Sequence, residues 1–266
     1  MAELRESELK RYARQLVLPG FGAEQQARLR AADVLVVGAG ALGSPVAGYL
    51  AAAGVGRLGI VDDDVVELSN LQRQWLHRER DLGYNKAEAA CIAVTNLNAE
   101  VLPEAYPVRL TADNAAALVA GRTVVVDCTD SLETTYAVND ACLQAGVPLV
   151  EAGVLGLTGQ LVTVIPNQTA CYRCLFPEPD QGAPAAPSCR EAGILGPVAG
   201  IVGSAQALET IKLIAGIGDP LTDRIWHLDG HTLAVTEVRS GPRADCRCGA
   251  AGVAAGPSAG ENGVAP

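Results

Sequence analysis

Aromatic residues are scarce in this chain: two Phe, two Trp and six Tyr make up 4% of 266 residues. With a single methionine as well, a core drawn from the 49% hydrophobic content must be built of Ala, Val, Leu and Ile. That composition suits a buried parallel sheet. Basic charge is also short, with 20 Lys plus Arg against 30 Asp plus Glu and a net charge of −10. A general nucleic-acid binder needs a basic face, so the balance argues against that class, although it leaves room for a local cationic pocket. The apolar stretches near Val34, Val124 and Ile201 are short or Gly-broken, which argues against a membrane span. The start, Met1 to Arg14, is charged and has no apolar run of the secretory kind. The expectation is a soluble, cytoplasmic protein. Its eight cysteines then read as reduced thiols or metal ligands rather than a disulfide framework. The three histidines (His77, His227, His231) are scattered and suggest no site.

What is present is order. Residues 4–30 read as a charged helix (Ser7 to Gln15), a Pro19-Gly20 turn and a second short helix. From Ala32 strands and helices alternate. Strand Asp33–Val37 leads to a helix ending near Ala53, then come strand Arg57–Asp62, a long loop, helix Lys86–Leu97 and strand Glu100–Pro107. Helix Ala112–Ala120, strand Thr123–Cys128, helix Leu132–Ala145 and strand Pro148–Ala152 follow. Such alternation predicts an α/β fold with a Rossmann-like, doubly wound sheet whose N-terminal part is parallel. The pattern then changes. Leu157–Ile165, Arg224–Leu228 and Thr232–Arg239 read as strands that continue the sheet antiparallel, with a helix from about Val198 to Ala215 between them. Pro177–Ser188 reads as a mobile crossing loop, and Gly249–Pro266 as a disordered Gly/Ala tail. The expected organisation is an N-terminal helical segment (1–30), one nucleotide-binding domain (31–248) and the tail (249–266).

The motif Gly38-Ala39-Gly40-Ala41-Leu42-Gly43 sits between the first strand and its helix. Glycines there let the backbone turn tightly and approach a phosphate at a helix N-terminus. Alone, the motif points first to NAD. Asp62 at the end of the second strand fits a ribose ligand or a solvated acidic loop. Ser69-Asn70-Leu71-Gln72-Arg73-Gln74 and Lys86 add two cations that a dinucleotide does not need and a nucleoside triphosphate does. Arg73 and Lys86 are therefore candidates to clamp the β- and γ-phosphates, against the reading of Lys86 as a surface lysine. Asn70 and Gln74 would hold the loop and offer hydrogen bonds to the nucleotide. Asp130 follows the fourth strand at its carboxyl end, where ligands of open sheets bind, and suits Mg²⁺; its bland alternative is a helix N-cap, a task Ser131 could take.

Cys171 and Cys174 form a CxxC pair and Cys246 and Cys248 a CxC pair. Four thiolates would complete the shell of a structural zinc. An empty site or a redox-active CxC are the alternatives. Cys91, Cys128 and Cys142 fall within predicted elements and read as core.

Taken in order, Arg11-Tyr12-Ala13-Arg14-Gln15, the glycine motif, Ser69 to Gln74, Lys86, Asp127-Cys128-Thr129-Asp130, Cys171-Tyr172-Arg173-Cys174 and the terminal cysteine pair carry a family resemblance. The chain resembles the bacterial adenylyltransferases that activate ubiquitin-like sulfur carriers, across roughly residues 5–248. The molybdopterin-synthase type is nearest and the thiamine-biosynthesis type next, and both resemble ubiquitin-activating enzymes. The resemblance implies that the C-terminal Gly-Gly carboxylate of a small carrier attacks the α-phosphate of ATP, giving an acyl-adenylate and pyrophosphate ahead of a thiocarboxylate. It also implies that Arg14 reaches the triphosphate from a neighbouring subunit, hence a homodimer. Cys189 matches a position used for a covalent link to the carrier in the thiamine type. The sulfur donor is expected to be a separate protein, of rhodanese or cysteine desulfurase type. The CxC pair departs from the family's CxxC. An NAD-dependent oxidoreductase and a non-catalytic scaffold remain as alternatives, as does the same chemistry on a thiamine, cysteine or secondary-metabolite carrier.

Overall fold

The computed structural model describes residues 4–178, 193–246 and 248. Most of the crossing loop, all of the C-terminal tail and Cys189 lie outside those residues.

One eight-stranded sheet organises the chain, in the order β3-β2-β1-β4-β5-β6-β7-β8. The first five strands are β1 (Asp33–Val37), β2 (Arg57–Val61), β3 (Leu102–Tyr106), β4 (Val124–Asp127) and β5 (Leu149–Leu155). They run parallel. The last three, β6 (Thr158–Val164), β7 (Arg224–Asp229) and β8 (Ala234–Arg239), are antiparallel. The expected parallel-then-antiparallel sheet is thus the observed one. Its order reverses between β1 and β4, so the carboxyl ends of those two strands flank a crevice.

Helices cover both faces. Val34 and Val36 of β1 face one core and Leu35 and Val37 the other, as the alternation of a strand requires. On the first face lie α4 (Gly43–Ala53), α5 (Lys86–Leu97) and α9 (Gly196–Ala215); on the second lie α6 (Ala112–Val119) and α7 (Leu132–Ala145). Helix limits follow capping chemistry. Asn85 Oδ1 accepts the backbone N–H groups of Ala87 and Glu88 at the start of α5, and Ser131 Oγ accepts that of Thr134 in α7. Gly54, Gly146 and Gly216 end α4, α7 and α9 in the left-handed conformation.

Three expectations need correction. The N-terminal helix is not continuous. It breaks at Tyr12 into α1 (Glu6–Arg11) and α2 (Ala13–Leu16), ahead of α3 (Ala23–Ala31). Tyr12 is buried and its hydroxyl accepts from Asn98 Nδ2 at 2.9 Å, so tertiary packing overrides helix continuity there. The fifth strand runs to Leu155, because its whole length pairs with β6. Finally, the helix around Ile201 is neither short nor broken. At 20 residues α9 is long and apolar enough to cross a membrane, but 56% of its apolar window is buried inside the fold, as befits a core helix.

Candidate active site and metal centre

The glycine turn follows β1 directly, and Gly38 N–H is anchored to the Val61 carbonyl at 2.8 Å. Its three glycines have different reasons to be there. Gly38 has φ 94°, and a Cβ would lie 2.9 Å from the Cys128 carbonyl oxygen. A Cβ on Gly43 would lie 2.0 Å from the Gly38 carbonyl oxygen. Both are fixed by packing. Gly40 is different: its nearest protein atom would be Gln74 Nε2 at 3.7 Å, an ordinary contact. Nothing among the described residues demands glycine at 40, a position that leaves room for close approach by an external group.

Asp62, just past β2, turns back onto this loop. Its Oδ2 accepts the Ala39 N–H at 2.8 Å and its Oδ1 the Asp64 N–H at 2.9 Å. Burial raises its pKa; the Ala39 bond, Lys86 and the Asp64 bond oppose that rise. The same peptide region is held on its other side by His77, whose Nε2 lies 2.9 Å from the Ala39 carbonyl oxygen. Burial lowers the His77 pKa, so the ring is neutral and Nε2 carries the donated proton. The scattered histidines thus hide one that braces the site, with its Nδ1 buried and unpartnered.

Lys86 opens α5 and is 6% exposed, which rules out a surface lysine. Its Nζ pairs with Asp64 Oδ2 at 2.8 Å, and its backbone N–H binds the Asp64 carbonyl at 2.9 Å. Asn85 Nδ2 donates to the carbonyls of Asp62 and Asp64, tying the helix start to the loop after β2. Sequence reading missed Asn85, although the N-cap before Lys86 was a signal.

Asn70 performs the loop-holding role: Oδ1 accepts the Glu67 N–H at 3.0 Å, and its carbonyl accepts from Arg73 and Gln74. Gln74 is buried beside Gly40 with Oε1 unpartnered. Arg73 donates to the Ser69 carbonyl at 2.9 Å and has no carboxylate partner among the described residues. The N-terminus of α9 packs against the Arg73 backbone: a Cβ on Gly196 would lie 2.7 Å from the Gln72 carbonyl oxygen. Asp130 is exposed beyond β4, and Ser131 caps α7, so the capping alternative for Asp130 falls away. Arg14 is exposed on α2, without a partner among the described residues.

The cysteines converge. Sulfur atoms of Cys171, Cys174, Cys246 and Cys248 all lie within 4.8 Å of one another. Cys171 is 3.7 Å from Cys174 and 3.5 Å from Cys246, and Cys174 is 3.6 Å from Cys248. A tetrahedron of zinc–sulfur bonds of about 2.3 Å has edges of about 3.8 Å. The cluster fits that size and is far too open for disulfides, whose sulfurs are about 2.05 Å apart. Each cysteine of the CxC pair meets one of the CxxC pair. Burial raises the Cys171 thiol pKa, so a bound cation is what would hold that sulfur as a thiolate. The Arg243 N–H points to Cys174 Sγ at 3.4 Å, a second-layer contact common around metal-bound sulfur.

Fold and site together define a doubly wound α/β protein with a glycine turn at its switch point and a four-cysteine knuckle. The family model described as "ThiF family" matches residues 12–250, and the chain belongs to that family. It is 50% identical over 229 residues to the mouse (Mus musculus) adenylyltransferase and sulfurtransferase MOCS3, covering 86% of this chain and 50% of the relative. The maize (Zea mays) MOCS3-1 protein is 45% identical over 241 residues, covering 90% and 51%. The chain therefore spans about half the length of these curated relatives. Among solved structures, E. coli MccB with ATP superposes with a TM-score of 0.81 at 22% identity, covering 92% of this chain and 75% of that one. The structure of PaaA superposes with a TM-score of 0.77 at 22% identity, covering 91% and 76%. These two likenesses concern the fold.

Proposed function

We propose that the protein adenylates the C-terminal Gly-Gly carboxylate of a small ubiquitin-like sulfur-carrier protein, with ATP as donor, in molybdenum cofactor biosynthesis. The observation that carries this reading is Gly40, an unforced glycine at the sheet's switch point whose nearest neighbour is Gln74, on the loop that carries Arg73. The naming of the MOCS3 relatives as adenylyltransferases supports the reaction class, and the ATP in the MccB structure supports the nucleotide.

The chemistry needs no acid–base dyad. A carboxylate is already ionised at neutral pH; its oxygen attacks the α-phosphorus, the bond from that phosphorus to the bridging oxygen breaks, and pyrophosphate departs with the charge. Gly38, Gly40 and Gly43 would cradle the phosphates, and Asp62 would meet the ribose. Arg73 and Lys86 would stabilise the leaving pyrophosphate, where charge develops in the transition state. Asn70 and Gln74 would set the loop that carries Arg73. Asp130 would hold Mg²⁺, which supplies charge neutralisation on the triphosphate. Arg14 would enter from a second copy, in a homodimer. Cys171, Cys174, Cys246 and Cys248 would hold a structural zinc away from the chemistry. Cys189 would serve later sulfur chemistry, with sulfur delivered by a donor of rhodanese or cysteine desulfurase type in the cytoplasm.

The test is exchange of labelled pyrophosphate into ATP, with several Gly-Gly carriers each beside a form lacking the last glycine. Exchange with an intact carrier and not its truncated form is expected. Exchange only with a thiamine or cysteine-pathway carrier would move the protein to that pathway. No ATP binding by folded, zinc-loaded protein would sink the reading.

A further inference from the structure

Two buried acids have no part in the chemistry above. Asp127 closes β4, and Glu151 lies beside it on β5 in register. In-register residues on neighbouring strands, about 4.8 Å apart, project to the same face. Here that is the face under α6 and α7, because Val125 and Leu149, two residues earlier, line that core. Asp127 is 1% exposed and Glu151 4%. Among the described residues each keeps a buried oxygen without a hydrogen-bond partner, Asp127 Oδ2 and Glu151 Oε2. No Lys, Arg or His acts on either acid among the described residues. The ionisable groups that sense the pair are Tyr172 of α8 (Tyr172–Leu175), Cys142 of α7 and Cys128 just after β4, all neutral.

Two adjacent carboxylates buried from solvent, with no basic side chain acting on them among the described residues, are too costly to keep both ionised, and a retained proton relieves that cost. Asp127 is the better anion. Its Oδ1 accepts the Thr129 N–H at 3.0 Å and the Thr129 hydroxyl at 2.8 Å, and the Thr135 hydroxyl on α7 also favours its charged form. Glu151 makes no such bonds; burial, and then the Asp127 charge, raise its pKa well above the usual range. The anion at Asp127 grips Thr129, the residue before Asp130. From the far face Gln206 Nε2 fixes the Asp127 carbonyl at 2.7 Å.

We infer that the Asp127–Glu151 pair retains one proton, held on Glu151 as a carboxylic acid beside the Asp127 anion, and that the pair positions the Thr129–Asp130 turn. Its positioning half rests on the proposed metal role of Asp130; the retained proton does not.

Two measurements on the full chain test it. Infrared spectra at neutral pH should contain a protonated-carboxyl band that shifts on carbon-13 glutamate labelling and is absent from Glu151→Gln. Folded wild-type protein without that band overturns the retained proton. ATP titrations with and without Mg²⁺ read the positioning. Glu151→Ala should weaken magnesium-dependent ATP binding about tenfold, as loss of a partner behind a metal ligand does. ATP binding without the metal should be unmoved, and Glu151→Gln, which keeps a neutral polar group of the same shape, should restore wild-type behaviour. Equal losses with and without Mg²⁺, or no rescue by Gln, overturn the positioning. Should Glu151→Ala not fold, Thr129→Val removes the same hydroxyl contact and must show the same magnesium-selective loss. Wild-type protein with the acid band but no magnesium dependence would overturn the Asp130 assignment and leave the retained proton standing.

Discussion

Asp62 and His77 grip opposite ends of one residue: the carboxylate accepts the Ala39 N–H at 2.8 Å, and the imidazole donates to the Ala39 carbonyl at 2.9 Å. Ala39 lies between the two glycines that begin the turn, so both side chains set the direction of its peptide groups. An anion-binding turn works only if its N–H groups already point at the ligand, since reorganisation would be charged against binding. His77 is therefore expected to matter without touching the nucleotide. His77→Ala should weaken ATP binding by about tenfold, while His77→Gln, whose amide can donate to the same carbonyl, should recover much of it. Calorimetric titration with ATP checks both.

The same histidine gives a pH dependence. Its folded pKa lies below the unfolded value of about 6.5. The unfolded chain therefore binds more protons in that range, and stability falls as pH drops below about 6.5 towards the folded value. Thermal unfolding between neutral and mildly acidic pH should show a downward slope that is shallower in His77→Gln. Equal slopes would show that His77 does not titrate on unfolding.

Lys86 and Arg73 separate stability from chemistry. Lys86 is buried, pairs with the exposed Asp64 and acts on the half-buried Asp62. Lys86→Ala therefore removes a costly buried cation and leaves Asp64 in water, while Asp62 keeps its bonds from the Ala39 and Asp64 N–H groups. Folding should survive, with a change in unfolding free energy of about 1 kcal/mol or less. Adenylate formation should fall by a factor on the order of 10²–10³ for Lys86→Ala and likewise for Arg73→Ala, the usual loss for a group that meets developing charge. Pyrophosphate exchange reads the rate and circular dichroism the fold. Near-wild-type exchange by either variant would remove that residue from the clamp.

The knuckle predicts metal content. Purified protein should carry about one zinc per chain, and Cys174→Ser should lose most of it. The cluster joins the segment after β6 to the segment after β8, so metal loss should loosen the antiparallel end of the sheet first. Hydrogen exchange should then rise in β7 and β8 while β1 and β4 stay protected. Zinc well below one per chain in unchelated protein would contradict the site.

Much of this was legible because local rules and tertiary structure agree. Helices α5 and α7 have the limits expected from sequence, since Asn85 and Ser131 are strong N-caps and Gly146 stops α7. Asp130 could be told from a cap because Ser131 follows it. What escaped depends on distance along the chain. His77 finds its carbonyl 38 residues away, and Tyr12 breaks its helix to meet Asn98 86 residues away. Neither local spacing nor periodicity encodes such contacts. Glu151 was unreadable for another reason: a lone acid in an apolar strand looks like an edge position until its in-register neighbour is also an acid.

The glycine turn offers the sharpest separation of architecture from binding. Gly38→Ala puts a Cβ 2.9 Å from the Cys128 carbonyl oxygen at a φ of 94°, and Gly43→Ala puts one 2.0 Å from the Gly38 carbonyl oxygen. Both obstacles are backbone and cannot swing away. Each variant should lose several kcal/mol of stability, on the order of the larger strain and overpacking penalties, and express poorly or unfold early. Gly40→Ala meets only Gln74 Nε2 at 3.7 Å. It should fold with a thermal midpoint near wild type and yet bind ATP at least about tenfold more weakly, because the methyl occupies the space that a phosphate needs. Thermal unfolding and an ATP titration on the three variants decide it. A Gly40→Ala protein that binds ATP normally would show that phosphates do not approach the turn at residue 40, and the observation that carries the proposed function would be lost.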